Sequence, residues 1–405
     1  MTGLIRTLLF SSLYPSSVRP GHGIFVETRL RELLLSGRVH TTVVSPVPWF
    51  FSTNPRFGEY ALMARTPARE NYHGIDVLHP RYMLPPKVGM TLAPLSMALG
   101  AWYSIQRLLR EGFEFDLIDA HYFYPDGVAA GLLAKWFQKP YVVTARGTDL
   151  NLIPQYLLPR KMICWAAANA HASIGVSKAL TEILRGLGLP SEQVHVMRNG
   201  VDLKRFVPVP PIEARRQRGI DGAPILMSVG NLVENKGHHI AIEALADILG
   251  DHPTARLVVI GRGPEKERLC SLAQRLGVES RVHFAGAVPN LELFQWYSAA
   301  DVLVLASSRE GWANVLLEAM ACGTPVVVTR LAGTPEVVTN DVAGRLVDRR
   351  DGGAFANAIR SLLSAYPDRS KVREYAEQFG WQSTTEAQIS LFDKILRGRG
   401  EPLHA

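Results

Sequence analysis

Cysteine is nearly missing from this chain: Cys164, Cys270 and Cys322 are the only three in 405 residues, far apart and in apolar surroundings. With no Cys-x-x-Cys pair, the sequence argues against a disulfide framework or a zinc site and for a reducing compartment. Asp-x-Asp is absent too. A diphosphate bridged by a metal on such a pair is thereby disfavoured, so protein charges would have to replace the metal. Neither Gly21-His22-Gly23 nor Gly261-Arg262-Gly263 completes Gly-x-Gly-x-x-Gly, which counts against a dinucleotide oxidoreductase. Positive charge is dispersed rather than clustered with interleaved aromatics, so nucleic acid is not an expected partner. The first apolar run, Leu8–Leu13, is broken by serines and reads as a strand rather than a signal peptide. The long uncharged run Val88–Gln106 approaches the roughly 20 residues a bilayer needs. It contains Pro94, two glycines and two serines, so a buried helix or one docked at a membrane surface is expected instead.

What is present is the composition of a folded protein, 47% hydrophobic and 20% charged, long enough for two domains. Residues 1–204 hold 21 Lys+Arg against 14 Asp+Glu, and the remainder holds 23 of each. The whole net charge of +7 therefore sits in the first half, which favours an anionic partner there. Leu4–Phe10, a Gly-bearing loop, a helix carrying Val26, Leu30 and Leu33, and the strand Thr41–Ser45 begin a parallel α/β sheet. Residues 46–86 look loop-rich. Asp116–Ala120 and Tyr141–Thr144 continue as strands, followed by Ser173–Ser177 and Val194–Met197. The rhythm restarts at Ile225–Val229 and continues through Arg256–Ile260, Val282–Phe284, Val302–Leu305 and Val326–Thr329. The expected organisation is a first domain over 1–204 and a linker over 205–222. A second domain over 223–369 and terminal helices over 370–405 complete it.

The chemistry concentrates at 310–329, EGWANVLLEAMACGTPVVVT. Glu310 lies on a turn and Glu318 on the helix that the turn starts. Amide N–H groups of Ala313, Asn314 and Val315 at that helix N-terminus suit a phosphate, while carboxylates accept from hydroxyls. Lys236, on a Gly-flanked loop after a strand, is a phosphate ligand by position. His121, Arg146 and Asp149 stand just past the ends of two strands, where ligands sit in open α/β sheets. Breaking a sugar–diphosphate bond gathers charge on the departing phosphate, which calls for such cations and helix ends.

Glu310 and Glu318, the block around them, Gly333-Thr334-Pro335-Glu336, Gly230–Gly237 and Gly21-His22-Gly23-Ile24-Phe25-Val26-Glu27 together resemble glycosyltransferase family 4. This is the large retaining family of GT-B fold, and within it the chain is most similar to enzymes of bacterial surface-polysaccharide and teichuronic-acid assembly. The resemblance implies two Rossmann-like, doubly wound parallel sheets facing across a cleft, with C-terminal helices packing back toward the first domain. It implies that Glu310 contacts the donor sugar, Glu318 the ribose and Lys236 the diphosphate. Gly23 would let a loop approach the donor phosphate, and His121 would lie near the reacting sugar. Asn231 stands where many members have Arg, with Arg262 as the compensating candidate. Arg146 stands where His-Gly is frequent, on the acceptor side with Asp149.

The expected activity is therefore metal-independent, retaining hexosyl transfer from a UDP- or GDP-sugar, without a cofactor, to a lipid-linked saccharide. The setting is cytoplasmic, at the anionic inner face of the plasma membrane. An epimerase, a phosphorylase or an inactive assembly scaffold are the alternatives.

Overall fold

The computed structural model describes residues 3–85 and 89–398. Val88 of the uncharged run and residues 399–405 of the expected terminal helices lie outside them. The chain divides into two compact units, residues 1–198 with 382–405, and residues 199–381.

The strands of the first unit are β1 (Ile5–Phe10), β2 (Val39–Val44), β3 (Val47–Pro48), β4 (Arg69–Tyr72), β5 (Ile75–Leu78), β6 (Arg81–Tyr82), β7 (Leu117–His121), β8 (Tyr141–Ala145), β9 (Ala172–Gly175) and β10 (Val194–Val196). Eight of them form one sheet in the order β10-β9-β8-β7-β1-β2-β5-β4, while β3 and β6 pair separately. Every pairing in the large sheet is parallel except the edge pair β4–β5. Residues 46–86, expected as loop, in fact carry four short strands and the helix Gly58–Ala64. Their seven prolines kept the strands too short to show a period.

The second unit holds β11 (Ile225–Val229), β12 (Arg256–Ile260), β13 (Val282–Gly286), β14 (Val302–Leu305), β15 (Val326–Thr329) and β16 (Gly344–Val347). Their order is β13-β12-β11-β14-β15-β16, all parallel. The central strands are continuous apolar runs such as VLVL and VVVT because helices cover both faces.

Two boundaries differ from the sequence expectation. Residues 205–222 are not an extended linker. Pro211 opens the helix Pro211–Arg218, its missing N–H being harmless at a first helical position. Arg215 then ties that helix to Asp301 at 2.7 Å. At the other end, Arg369–Glu377 stays with the second unit, where the Tyr375 hydroxyl donates to the Val337 carbonyl at 2.7 Å. The helix that returns to the first unit is Gln382–Arg397. Its Ile389, Leu391 and Phe392 join Leu33, Leu117 and Ile174 in one buried cluster.

Candidate functional site

Among the parallel strands of each sheet the order reverses direction once, and ligands bind open α/β sheets at that switch point. In the second unit it falls between β11 and β14. Their loops leave side by side. Gly237 has a positive φ of 71°, and a Cβ there would sit 2.0 Å from the Ala306 carbonyl oxygen. Only glycine lets the β11 loop lie against the end of β14. Ser308 N–H then donates to the Asn235 carbonyl at 2.8 Å. Arg350 donates to the carbonyls of Ala306 and Glu234 and so staples both loops.

The outcome is that Lys236 Nζ lies 2.6 Å from Glu310 Oε1, to which Ser307 Oγ also donates at 2.7 Å. The helix Asn314–Ala321 starts just beyond. No side chain caps it at Ala313, so the amides of Asn314 and Val315 point out of its N-terminus. Glu318 accepts from the Tyr297 hydroxyl at 2.9 Å. Burial lifts its carboxyl to about 7, against opposing pulls from Tyr297 and Arg205. Arg262 lies next door because Gly261 allows it: a Cβ there would meet the Gly230 carbonyl oxygen at 1.8 Å. The Leu232 N–H donates to the Arg262 carbonyl, and the exposed Asn231 is its neighbour in the chain. The structure thus brings Lys236, Glu310 and the helix N-terminus to one switch point, with Asn231 and Arg262 on the flanking turns.

In the first unit the switch point lies between β1 and β7. Ser11 Oγ donates to the His121 carbonyl at 3.1 Å, and Ser12 Oγ to Asp126 at 3.0 Å, linking the two loops. His121, expected beside the reacting sugar, is only 1% exposed. Arg146 donates to its Nδ1, and its Nε2 faces Asp119 Oδ2 at 3.4 Å. Burial holds this imidazole down to about 4, so it is neutral. The ring stands behind Arg146. It is not presented at the surface.

Arg146 is packed over the Phe25 ring at 5.3 Å, and desolvation with repulsion from Arg29 pushes its guanidinium well down. Asp149 is fully buried and accepts from the backbone N–H groups of Phe123, Arg146 and Gly147. It shapes the loop rather than facing an acceptor. Gly23 is a glycine for an internal reason: its φ is 58°, and a Cβ would lie 1.7 Å from the Leu13 carbonyl oxygen. The space read from the sequence as a ligand's is taken by Leu13.

Sequence reasoning missed the groups behind these residues. The fully buried Arg29 donates to Gln388 Oε1 at 2.7 Å, and Gln388 Nε2 donates to Asp119 Oδ2 at 3.0 Å. A polar chain thus runs from the C-terminal helix through Asp119 to His121 and Arg146. Ser307, three residues before Glu310, was within reach of a local pattern. Tyr297, Arg350 and Gln388 had no such signal. Among the described residues no group of three or more His, Cys, Asp or Glu is placed to hold a metal.

Two separate Rossmann-like, mainly parallel sheets, one carrying a cation, carboxylates and a helix N-terminus at its switch point, are the architecture of the GT-B class. Residues 212–379 match the model of glycosyl transferases group 1, and residues 64–205 that of glycosyltransferase family 4. The D-inositol 3-phosphate glycosyltransferase of Corynebacterium jeikeium is 31% identical over 338 residues, covering 76% of this chain and 80% of that protein. A Bacillus subtilis protein named for teichuronic acid biosynthesis, the glycosyltransferase TuaC, is 32% identical over 362 residues, 88% of each. Anabaena HepE, solved with UDP-glucose, superposes with a TM-score of 0.69 at 21% identity, covering 96% of this chain and 98% of that one. The chain belongs to glycosyltransferase family 4, as its motifs led us to expect.

Proposed function

We propose that this glycosyltransferase moves a hexosyl group, with retention at the anomeric carbon, from a UDP- or GDP-sugar to a lipid-linked saccharide. The observation that carries the reading is the Lys236–Glu310 contact of 2.6 Å at the second unit's switch point. Lys236 and the amides of Ala313, Asn314 and Val315 hold the diphosphate, and Arg262 takes the cationic place that Asn231 leaves open. Glu310 accepts from the donor sugar and Glu318 from the ribose hydroxyls. As the sugar–phosphate bond lengthens, negative charge grows on the phosphate that Lys236 faces, so the contact strengthens in the transition state. The leaving phosphate then takes the acceptor's proton on the same face of the sugar. Retention follows without a protein base, cofactor or metal. On the first unit, Arg146, oriented by the neutral His121, is the acceptor-side cation.

TuaC's name, taken from teichuronic acid biosynthesis, and HepE's bound UDP-glucose support a nucleotide sugar and a saccharide acceptor. The basic excess of residues 1–204 supports a cytoplasmic protein working peripherally at the anionic inner membrane face. A thermal-shift screen of nucleotide sugars tests donor binding, and proton NMR of the product tests the stereochemistry. The reading expects stabilisation by one UDP- or GDP-sugar and a product with the donor's anomeric configuration. An inverted product overturns retention, and no stabilisation by any donor leaves the scaffold alternative.

A further inference from the structure

We propose that the helices Gly89–Arg110, Val128–Phe137 and Leu157–Asn169 form one face of the first unit that docks on an anionic lipid bilayer. The proposal rests on the membrane-acceptor reading for its purpose, whereas the face itself stands on its own geometry. The chain moves from β7 to β8 to β9 in one direction and from β1 to β2 in the other. Right-handed crossovers therefore put Val128–Phe137 and Leu157–Asn169 on the sheet face opposite the helix Ile24–Leu35. Gly131 leaves room for the Trp165 ring, which a Cβ there would meet at 3.1 Å, and Gly89–Arg110 packs beside both helices.

Two properties set this face apart from an ordinary wet surface. The first is charge of one sign. The three helices carry Arg107, Arg110, Lys135, Arg160 and Lys161, all exposed, and no Asp or Glu. A solvated surface normally intersperses both signs. Among the described residues the one carboxylate ion-paired with these cations is Glu111, just past the first helix, which Arg107 shares with Arg69.

The second property is apolar exposure on helices that already have a buried side. Gly89–Arg110 turns Met97, Ala101, Ile105 and Leu108 inward. It still presents Leu95, Leu99 and Tyr103, four residues apart, at 48%, 48% and 71% exposure. Leu157 and Leu158, at 68% and 52%, add a second apolar edge beside Arg160 and Lys161. Among the described residues no helix is long and apolar enough to cross a membrane. Apolar side chains that enter the headgroup boundary, flanked by cations that face anionic lipid, describe a surface that lies on the bilayer.

The test is co-sedimentation of the full chain, without sugar nucleotide or acceptor, with vesicles of phosphatidylcholine alone or with one third phosphatidylglycerol. The expected result is binding to the anionic vesicles that weakens with added salt. Arg160→Ser with Lys161→Ser lowers it roughly thirtyfold, and Leu95→Ser with Leu99→Ser also weakens it. Because all four side chains are exposed, each double variant should keep the parent's melting curve and donor-induced thermal shift. A control pair on the second unit, Arg330→Ser with Arg349→Ser, should bind as the parent does. Equal binding to both vesicle types, or double variants that bind like the parent, overturns the proposal. So does a parent that is dimeric by light scattering and becomes monomeric in the leucine variant, since a second copy then covers the face. Vesicle binding without any donor-induced shift leaves the docking face standing and removes the transferase reading instead.

Discussion

Lys236 and Glu310 meet at 2.6 Å with Ser307 on the same carboxylate oxygen, so each residue can be tested separately. In the proposed donor site Lys236→Ala removes the cation assigned to the departing phosphate and should lower kcat/KM roughly a hundredfold or more, measured by steady-state transfer. Glu318 carries a pH signature. Its carboxyl, lifted to about 7 by burial, binds a proton in the folded state that it has lost in the unfolded chain above about 4.5. The contribution of Glu318 to stability therefore falls as pH rises from about 4.5 through about 7 and then levels. Glu318→Gln removes that penalty, so its stability relative to the parent should rise over the same window. After discounting for partial exposure the gain is on the order of 1 kcal/mol, read by denaturant melts at several pH values. If Glu318 holds the ribose as proposed, donor affinity in the parent should increase up to about pH 7, because hydroxyls donate best to the ionised carboxylate, and should be flat in the variant.

At the scale of elements, the candidate site divides into what one stretch of chain can show and what it cannot. Lys236, Glu310, Ser307 and Glu318 each sit on a loop or helix adjoining a strand whose apolar run is obvious, so their placement at strand ends was legible. Tyr297 reaches Glu318 from 21 residues away, and Gln388 reaches Asp119 across 269. No spacing encodes such pairs, because tertiary packing of separate helices brings them together. The same limit explains Gly23, His121 and Asp149. Their residue types and positions were correctly placed at strand or helix ends, but whether a side chain turns outward or inward depends on neighbours such as Leu13 and Phe123. The polar chain from Gln388 also yields a prediction. Gln388→Leu strips Asp119 and Arg29 of their shared buried partner and should destabilise the protein by about 3 kcal/mol in denaturant titrations. Because His121 and Arg146 then lose their backing, kcat should fall more than KM changes, which simple loss of fold does not produce.

For the whole molecule, the returning helix Gln382–Arg397 makes the first unit depend on the last part of the described chain. A protein ending after Trp381 keeps the second unit intact, including the bridge between Val201 and Gly380. It takes Ile389, Leu391 and Phe392 out of the first unit's core. Calorimetry should then show the second unit's transition near its original temperature and the first unit's transition lost or strongly lowered. The charge pattern divides along similar lines, with the whole basic excess in residues 1–204 and a balanced remainder. The most direct measurement is transfer of labelled hexose from the nucleotide sugar to a membrane extract by the parent, Lys236→Ala and Glu310→Ala. Donor-dependent labelling by the parent, with each variant at roughly a hundredth or less of its rate, is the predicted result. Variants that transfer as well as the parent would contradict the assignment of this switch point as the donor site.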